Sequence, residues 1–348
     1  MKTKLAILLI VILLGVSPWA KAAIGEVVSW RANAYSEANR TPLDAQMTGQ
    51  VAKGTVVVAG QIVTNAIAVA AGMANSLVLT ADGSVFNWGG TSNGAEQVKI
   101  GDAVLSDVVA VSEGRMHSVA LRKNGAVLAW GNNDQGQGVV PKWLRNVTAI
   151  SAGGNHTLAV TGDGTVMSWG EGNPPPFGLS NIVAVSASKL WDTGHDLALT
   201  SSGEVIQWNV KGVPGQGALP PELTNAVAIS AGGNHNLALL KGGRVFGWGD
   251  NSLGQAIGTA TTNAPFYASG PVSLGGNVLS NVVAVAAGNQ FSLALKSDGT
   301  VVGWGRIGGN RTPVAVPDGL SNVVAIAVGD YYCLAIITNT AVAEKFSH

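Results

Sequence analysis

The sequence is poor in three kinds of residue. Of its 348 residues, 11% are charged, 6% are aromatic and only one, Cys333, is a cysteine. A single cysteine allows no internal disulfide and no cysteine-ligated metal cluster. Because 20 basic residues balance 20 acidic ones, the total charge gives no sign of a surface for nucleic acid or for an anionic membrane. The hydrophobic share of 47% also excludes an intrinsically disordered chain.

Long hydrophobic runs are absent except at the N-terminus. Lys2 and Lys4 precede an apolar run at 5–14, and Ala20 and Ala22 follow at the spacing of a cleavage site. The run is short for a membrane span, which needs roughly 20 residues, and the pattern is typical of a secretory signal peptide. We expect residues 1–22 to be removed and residues 23–348 to form one exported domain, periplasmic or extracellular, with no membrane attachment after cleavage. An uncleaved anchor is the alternative.

The sequence does contain an internal repeat. The motif Gly-x-Val-x-x-Trp, where x is any residue, occurs at Gly25–Trp30, Gly83–Trp88, Gly125–Trp130, Gly164–Trp169, Gly203–Trp208, Gly243–Trp248 and Gly299–Trp304. A small, aliphatic segment occurs equally often, at Ala66–Gly72, Val108–Gly114, Val147–Gly153, Ile182–Ser188, Ala226–Gly232, Val282–Gly288 and Val323–Gly329. Consecutive tryptophans of the motif are 39 to 58 residues apart, so the unit has about 40 residues and some copies carry insertions.

Each unit predicts short antiparallel strands, because β-branched residues dominate and no helical period is present. Turn pairs such as Asp82-Gly83 join the last two strands of a unit. The final unit, Val323–Thr338, lacks a tryptophan strand, whereas Gly25–Trp30 stands alone before the first unit. The sequence therefore predicts an all-β, seven-bladed β-propeller in which the N-terminal strand completes the last blade. An open solenoid is the alternative architecture.

The side chains that recur in the repeat are interpreted as structural. The tryptophan buries enough area to pack one blade against another. Four histidines occupy the same place in successive units: His117, His156, His195 and His235. Since a ring places them in four different blades, we expect them to form structural hydrogen bonds within the loops rather than a metal site, and we expect no cofactor.

Two insertions, 31–64 and 251–280, interrupt the compact repeat. Loops of this length are either functional or flexible, and the sequence does not separate these alternatives. The second insertion is rich in glycine, alanine, threonine and asparagine. We expect it to be poorly ordered.

The repeat resembles a known family. The segments Val147–Gly170, Gly114–Leu121 and Trp130–Gln137 resemble the regulator of chromosome condensation repeat, in the compact style of secreted bacterial members. The likeness covers nearly all of residues 25–339. It implies a seven-bladed propeller and, as alternative functions, guanine-nucleotide exchange or enzyme inhibition. Inhibitory members bind through residues just before the histidine place, where Tyr331 is the aromatic residue in this chain.

Loop tips on a rigid scaffold are where binding residues tend to lie. Chain direction predicts that the loops before the histidine place and those after the tryptophan share one face, with Trp143 on the other. The candidate binding residues are Arg115, Met116, Asp134, Glu171, Trp191, Asp192, Asp250, Arg306, Asp330 and Tyr331.

These loops predict a module without catalysis that binds a protein or other macromolecular partner. We expect a monomer that binds no nucleic acid. A hydrolase or lyase that acts on polysaccharide in the central channel is the alternative. Paired carboxylates beside a histidine or tyrosine in the channel would favour such an enzyme.

Overall fold

The computed structural model describes residues 25–31, 54–55, 57–58, 61–89, 96–172, 174–190, 195–208, 219–307 and 312–338. Over these residues every regular element is a β-strand. Within the same ranges there is consequently no helix that could cross a membrane. The predicted signal peptide lies outside the described residues.

Seven antiparallel sheets form the propeller, and we number them as blades 1 to 7 in chain order. The inner strands are Ala66–Ala71, Val108–Glu113, Val147–Ala152, Ile182–Ala187, Ala226–Ala231, Val282–Ala287 and Val323–Val328. The middle strands are Asn75–Thr80, His117–Arg122, His156–Thr161, Asp196–Thr200, His235–Leu240, Phe291–Lys296 and Tyr332–Ile337. The third strands are Val85–Gly89, Val127–Gly131, Val166–Gly170, Val205–Trp208, Val245–Asp250, Val301–Ile307 and, in blade 7, Glu26–Arg31. The predicted seven-bladed propeller is confirmed.

Some blades carry a fourth strand at the outer edge. These strands are Glu96–Gln97 in blade 1, Tyr267–Pro271 in blade 5, Thr312–Pro313 in blade 6 and Gly54–Thr55 in blade 7. Three small hairpins pair Val57–Val58 with Gln61–Ile62, Lys99–Ile100 with Ala103–Val104, and Ser273–Leu274 with Asn277–Val278.

The N-terminal strand closes the ring, as the sequence predicts. Glu26–Arg31 pairs antiparallel with Tyr332–Ile337 along its whole length, and Val28 lies opposite Ala335. The same strand also pairs with Gly54–Thr55 on its outer side. The last blade is therefore built from segments near both ends of the chain.

Backbone hydrogen bonds join neighbouring blades at the end of the ring that carries the hairpin turns. The Val147 N–H of blade 3 donates to the carbonyl of the hairpin glycine Gly125 in blade 2, at 3.2 Å. The preceding residue, Asn146, has a φ of 54°, a conformation that asparagine tolerates better than most residues. Its carbonyl accepts a hydrogen bond from Gly162 of its own blade at 2.8 Å. Asparagine or aspartate with positive φ precedes six of the seven inner strands, so the same joint recurs around the ring.

The repeated tryptophans pack against the preceding blade, which confirms the predicted role. Trp169 of blade 3 lies in a cluster with Val119 and Leu121 of blade 2, and Trp304 of blade 6 in one with Leu237 of blade 5. The indole N–H of Trp304 donates to the Gln255 carbonyl at 2.9 Å. The tryptophan therefore contributes both buried area and, in some blades, a hydrogen bond.

Two tryptophans separate these contributions in a testable way. Trp304 and Trp30 are both buried, but the indole N–H of Trp30 has no hydrogen-bond partner among the described residues. We expect Trp304→Phe to lower the free energy of unfolding by about 1 kcal/mol more than Trp30→Phe, because only the first change removes a buried hydrogen bond. Urea unfolding of both variants measures the difference, and equal losses would contradict the assignment.

The expectation that insertion 251–280 is poorly ordered is wrong. The segment is described throughout and supplies the fourth strand of blade 5. Asn251, which is fully buried, organises it: its Nδ2 donates to the Thr259 carbonyl and the Thr261 hydroxyl, and its Oδ1 accepts from the Ala256 N–H. The first insertion, 31–64, lies largely outside the described residues.

Candidate functional site

The loops between inner and middle strands lie on one face of the ring and are bonded to one another. The bonds run from Met73 N to Arg115 O, Arg115 N to Gly153 O, Gly154 N to Ser188 O, Gly233 N to Gly288 O, and Asp330 N to Gly72 O, at 3.0 to 3.2 Å. Residues after the tryptophan bond back to the same loops, as Asn132 N does to Met116 O. We call the surface formed by these loops and the residues after each tryptophan the loop face. Both sets of loops thus share one face, as the chain direction predicts.

Most of the predicted binding residues are accessible on the loop face. Met116, Asp134, Glu171, Arg306 and Tyr331 are exposed, and Arg115 and Asp250 are half-buried. Asp134 accepts a hydrogen bond from Asn132, Glu171 from Asn155, and Asp250 from the Ser252 N–H. Trp191 and Asp192 lie outside the described residues. The binding role of all these residues stays a prediction.

Asp330 corrects the predicted set. The sequence places it on the accessible rim, but it is only 3% exposed. Burial raises the pKa of its carboxyl group, and the nearby positive charges of Lys189 and Arg115 oppose that shift. Asp330 therefore lies in a cluster of ionisable groups at the loop face, with the buried Glu113, Lys189 and the half-buried Arg115.

Lys189 spans the mouth of the central channel. It leaves the loop of blade 4 and its ammonium group donates to the Ala71 carbonyl of blade 1 and, at 2.9 Å, to the Val328 carbonyl of blade 7. In this loop Ser188 replaces the glycine of the other units, and its hydroxyl donates to the Gly232 carbonyl at 2.9 Å. Burial lowers the pKa of Lys189, and the charges of Asp330 and Glu113 oppose the shift. One side chain thus connects blade 4 to the two blades across the axis.

Glu113 stands where the other inner strands end in alanine or valine. It is 2% exposed and packs against Gly72 at the boundary of blades 1 and 2, where Asn75 replaces the repeated histidine. Burial raises the pKa of Glu113 to about 8, against the opposing effects of Ser118, Lys189 and Asn75. The carboxyl group is therefore protonated at neutral pH. The signal in the sequence is a single acid inside an otherwise small, aliphatic segment.

The four histidines link successive blades. Each uses its Nε2 atom: His117 bonds to Thr157 Oγ1 at 2.9 Å, His156 to Asp196 Oδ1 at 2.8 Å, His195 to Asn236 Oδ1 at 2.5 Å, and His235 to Ser292 Oγ at 2.8 Å. Tyr332 makes the equivalent link from blade 7 to Ser76 of blade 1 at 2.7 Å. The predicted structural role is confirmed, although the partners are strand residues rather than loop residues. Within the described ranges, no three potential metal ligands come together.

The central channel contains a cavity of about 180 Å³ walled by the inner strands. Alanine, valine, isoleucine, serine and threonine make up most of the wall, and Glu113 and Lys189 are its charged members. Several wall serines are used in the scaffold, since Ser112 Oγ accepts the Ala152 N–H and Ser151 Oγ the Ala187 N–H, both at 2.9 Å. The described wall holds no carboxylate pair beside a histidine or tyrosine.

The repeat matches known families. A family model described as the regulator of chromosome condensation (RCC1) repeat matches residues 108–137, 147–173, 226–255 and 282–310, and a second RCC1 repeat model matches residues 242–295. The chain therefore contains RCC1 repeats. The matched segments correspond to blades 2, 3, 5 and 6, and the three remaining blades share their strand order.

Curated relatives and solved structures agree with the RCC1 assignment. Protein pim1 of Schizosaccharomyces pombe is 36% identical over an alignment of 110 residues that covers 27% of this chain and 20% of pim1. Human HERC6, a probable E3 ubiquitin-protein ligase, is 36% identical over 77 residues, which are 22% of this chain and 7% of that protein. The structure of Prp20p from Saccharomyces cerevisiae, described with its binding to Gsp1p and histones, superposes with a TM-score of 0.70 at 19% identity, covering 96% of this chain and 95% of that one. Human WBSCR16 gives a TM-score of 0.63 at 16% identity, covering 91% and 99%. The solved structures establish the RCC1-type propeller fold, and the curated matches span only a small part of each relative.

Proposed function

We propose that the protein is an exported, non-catalytic propeller that binds a protein partner through the loop face. One observation carries the proposal: apolar and arginine side chains adjoin on the loops of blades 7, 1 and 2. Tyr331 is 39% exposed and Met116 41% exposed. The Arg115 Nε lies 3.2 Å from the Met73 sulfur, which joins the loops of blades 1 and 2. Aromatic, methionine and arginine side chains are enriched at protein interfaces, so this patch is suited to a protein surface.

The channel supports a function without catalysis. Its wall is mostly aliphatic, and Lys189 crosses its mouth with its ammonium group already bonded to two carbonyls. A hydrolase or lyase would need a general acid and base convergent on a substrate. Prp20p, a structural relative, is described as binding Gsp1p and histones, which favours protein binding by this chain as well. Exchange-factor activity and enzyme inhibition are the specific alternatives.

Affinity capture from the extracellular and periplasmic fractions of the producing organism tests the proposal. We expect the Met116→Ala, Tyr331→Ala double variant to retain its partner at least 10-fold less than wild type, since truncation of interface anchors costs on the order of 2 kcal/mol. Val278→Ala is the matched control, because Val278 is 50% exposed but lies in the hairpin of the connector that precedes blade 6.

Two outcomes would count against the proposal. If the double variant and the wild type capture the same proteins in the same amounts, the loop face is not the binding surface. If N-terminal sequencing of the native protein does not begin at Ala23, the export half of the proposal fails.

A further inference from the structure

The outer edges of blades 2 and 3 lack the fourth strand that other blades carry. Their connectors, 132–146 and 171–181, are described except for residue 173, and neither forms a strand. The first connector instead enters the groove between the two blades, where the Gln137 carbonyl accepts hydrogen bonds from Trp169 Nε1 and Thr157 Oγ1. No strand of the described residues therefore lies beside the third strand in either blade.

Exposure of one repeated glycine shows the difference directly. The last residue of the third strand, Gly131 in blade 2 and Gly170 in blade 3, is exposed. The equivalent Gly89 of blade 1 and Gly249 of blade 5 are buried. In blade 5 the fourth strand covers this glycine, since Ala268 lies opposite Gly249, whereas no described strand lies beside Gly131 or Gly170.

The hydrogen-bond pattern shows which backbone groups face outward. In blade 2 the Ala126 carbonyl bonds to Arg122 and the Asn132 N–H bonds to Met116, both on the side of the middle strand. Because antiparallel pairing alternates along a strand, Leu128 also faces inward and Ala129 faces outward. The same alternation in blade 3 turns Ser168 outward, since the Thr165 carbonyl and the Glu171 N–H bond inward. No described residue bonds to these outward groups.

The two edge strands also lack the residues that usually protect an edge. Neither Val127–Gly131 nor Val166–Gly170 contains a charge or a proline, the common means of preventing edge pairing. Exposed apolar side chains follow in the two connectors: Val139 is 60% exposed, Trp143 62% and Phe177 fully exposed. Accessible edges with adjacent apolar anchors are the elements of a strand-addition site.

The chain itself shows what fits such an edge. In blade 5 the segment Tyr267–Pro271 pairs antiparallel with the third strand, with Gly270 opposite Gly247 and Ala268 opposite Gly249. We propose that the outer edges of blades 2 and 3 bind an extended segment of a partner polypeptide as an added antiparallel strand. The added strand runs from the loop face towards the hairpin turns, because the third strand runs the other way.

Charges at both ends of the blade 2 edge, and at the upper end of the blade 3 edge, favour one composition of the added strand. Asp134 and Glu171 follow the upper ends of the third strands and are exposed. Lys142 and Arg145 are exposed in the connector that descends from blade 2 to the start of blade 3. The favoured segment is basic near its N-terminus and acidic near its C-terminus, with apolar residues between.

A peptide that copies residues 266–272 of this chain, extended by an N-terminal lysine and a C-terminal glutamate, is the probe. Amide hydrogen exchange of the full protein is measured by NMR with and without the peptide. We expect saturating peptide to slow exchange of the Ala129 and Ser168 amides at least 10-fold, with little change at Leu128 and Met167, whose amides are already paired. A peptide N-methylated at its pairing amides keeps the side chains and is expected not to bind.

Variants of the protein give an independent measurement. Ala129→Pro with Ser168→Pro removes the outward N–H groups but no bond to the middle strand, and we expect it to bind the probe at least 10-fold more weakly. The Met116→Ala, Tyr331→Ala variant is expected to bind the probe as wild type does, which separates this site from the loop face. Three outcomes would overturn the proposal. The N-methylated peptide could bind as well as the probe, or the probe could fail to bind at about 1 mM. Protection that grows with protein concentration alone would show that a second copy of the protein occupies the edge.

Discussion

Deletion of residues 25–31 lowers the unfolding temperature by on the order of 10 °C, because it removes the third strand of blade 7. Val27, Val28 and Trp30 are all buried, and each such side chain contributes about 1.5–3 kcal/mol. The deletion also leaves Tyr332–Ile337 paired on its inner side alone. Differential scanning calorimetry of the purified mature chain measures the shift.

Deletion of residues 344–348 is the matched control for the loss of chain length. We expect it to change the unfolding temperature by no more than a degree or two, since the last few residues of a chain usually contribute little to stability. If the two deletions had the same effect, strand sharing between the ends would not be a source of stability.

We expect the free energy of unfolding to be largest near pH 6.5, because the titration of buried groups lowers it on both sides of that value. Burial lowers the pKa of His117 to about 4 and of His235 to about 3, with further lowering from His156 and His195 respectively. Both are neutral in the folded protein, whereas the unfolded chain takes up a proton at each below pH 6.5. Each histidine therefore costs on the order of 3 kcal/mol of stability between pH 6.5 and pH 4. Burial also lowers the pKa of His195, which adds to the loss.

Glu113 lowers the free energy of unfolding on the alkaline side of this maximum. Its pKa is raised to about 8 in the folded protein, so the unfolded chain releases this proton at lower pH than the folded chain does. The stability from Glu113 is fully present below pH 4.5 and declines until the pH passes 8. Below pH 6.5 the histidines outweigh it, because at least two of them titrate in the opposite direction.

Two variants test the assignment. His235→Phe copies Phe291, the residue at the same place in blade 6, and Ser292 keeps its bond to the Gln255 carbonyl. We expect this variant to lose stability less steeply than wild type from pH 6.5 to 4. Glu113→Gln is expected to abolish most of the decline from pH 6.5 to 8. Chemical denaturation across this range measures both slopes, and unchanged slopes would refute these two groups as the cause.

Periodic features of the fold could be predicted from the sequence. Hairpin glycines such as Gly125 recur in six units and the packing of tryptophans such as Trp169 in all seven, so that each copy supports the interpretation of the others. Ring closure followed from a strand missing at one end and present at the other. Such inferences need no knowledge of side-chain geometry.

Features found in a single unit could not be predicted in the same way. The loop that contains Lys189 has Ser188 where the other units have glycine. Only the ring geometry shows that the Lys189 side chain reaches Ala71 and Val328. Asp330 is buried within range of the charge of that lysine. The order of insertion 251–280 depends on Asn251, whose four described bonds outweigh a composition that suggests flexibility.

The shared last blade has a consequence for biosynthesis. Glu26–Arg31 is made early, yet its partner Tyr332–Ile337 is about 300 residues away along the chain. A nascent chain can assemble blades 1 to 6 in order from local contacts, but its earliest strand must wait, unpaired, until translation is almost complete. Pairing so distant in sequence is slow. A stalled or prematurely terminated polypeptide would therefore expose two unpaired strand edges and become a target for chaperones and proteases.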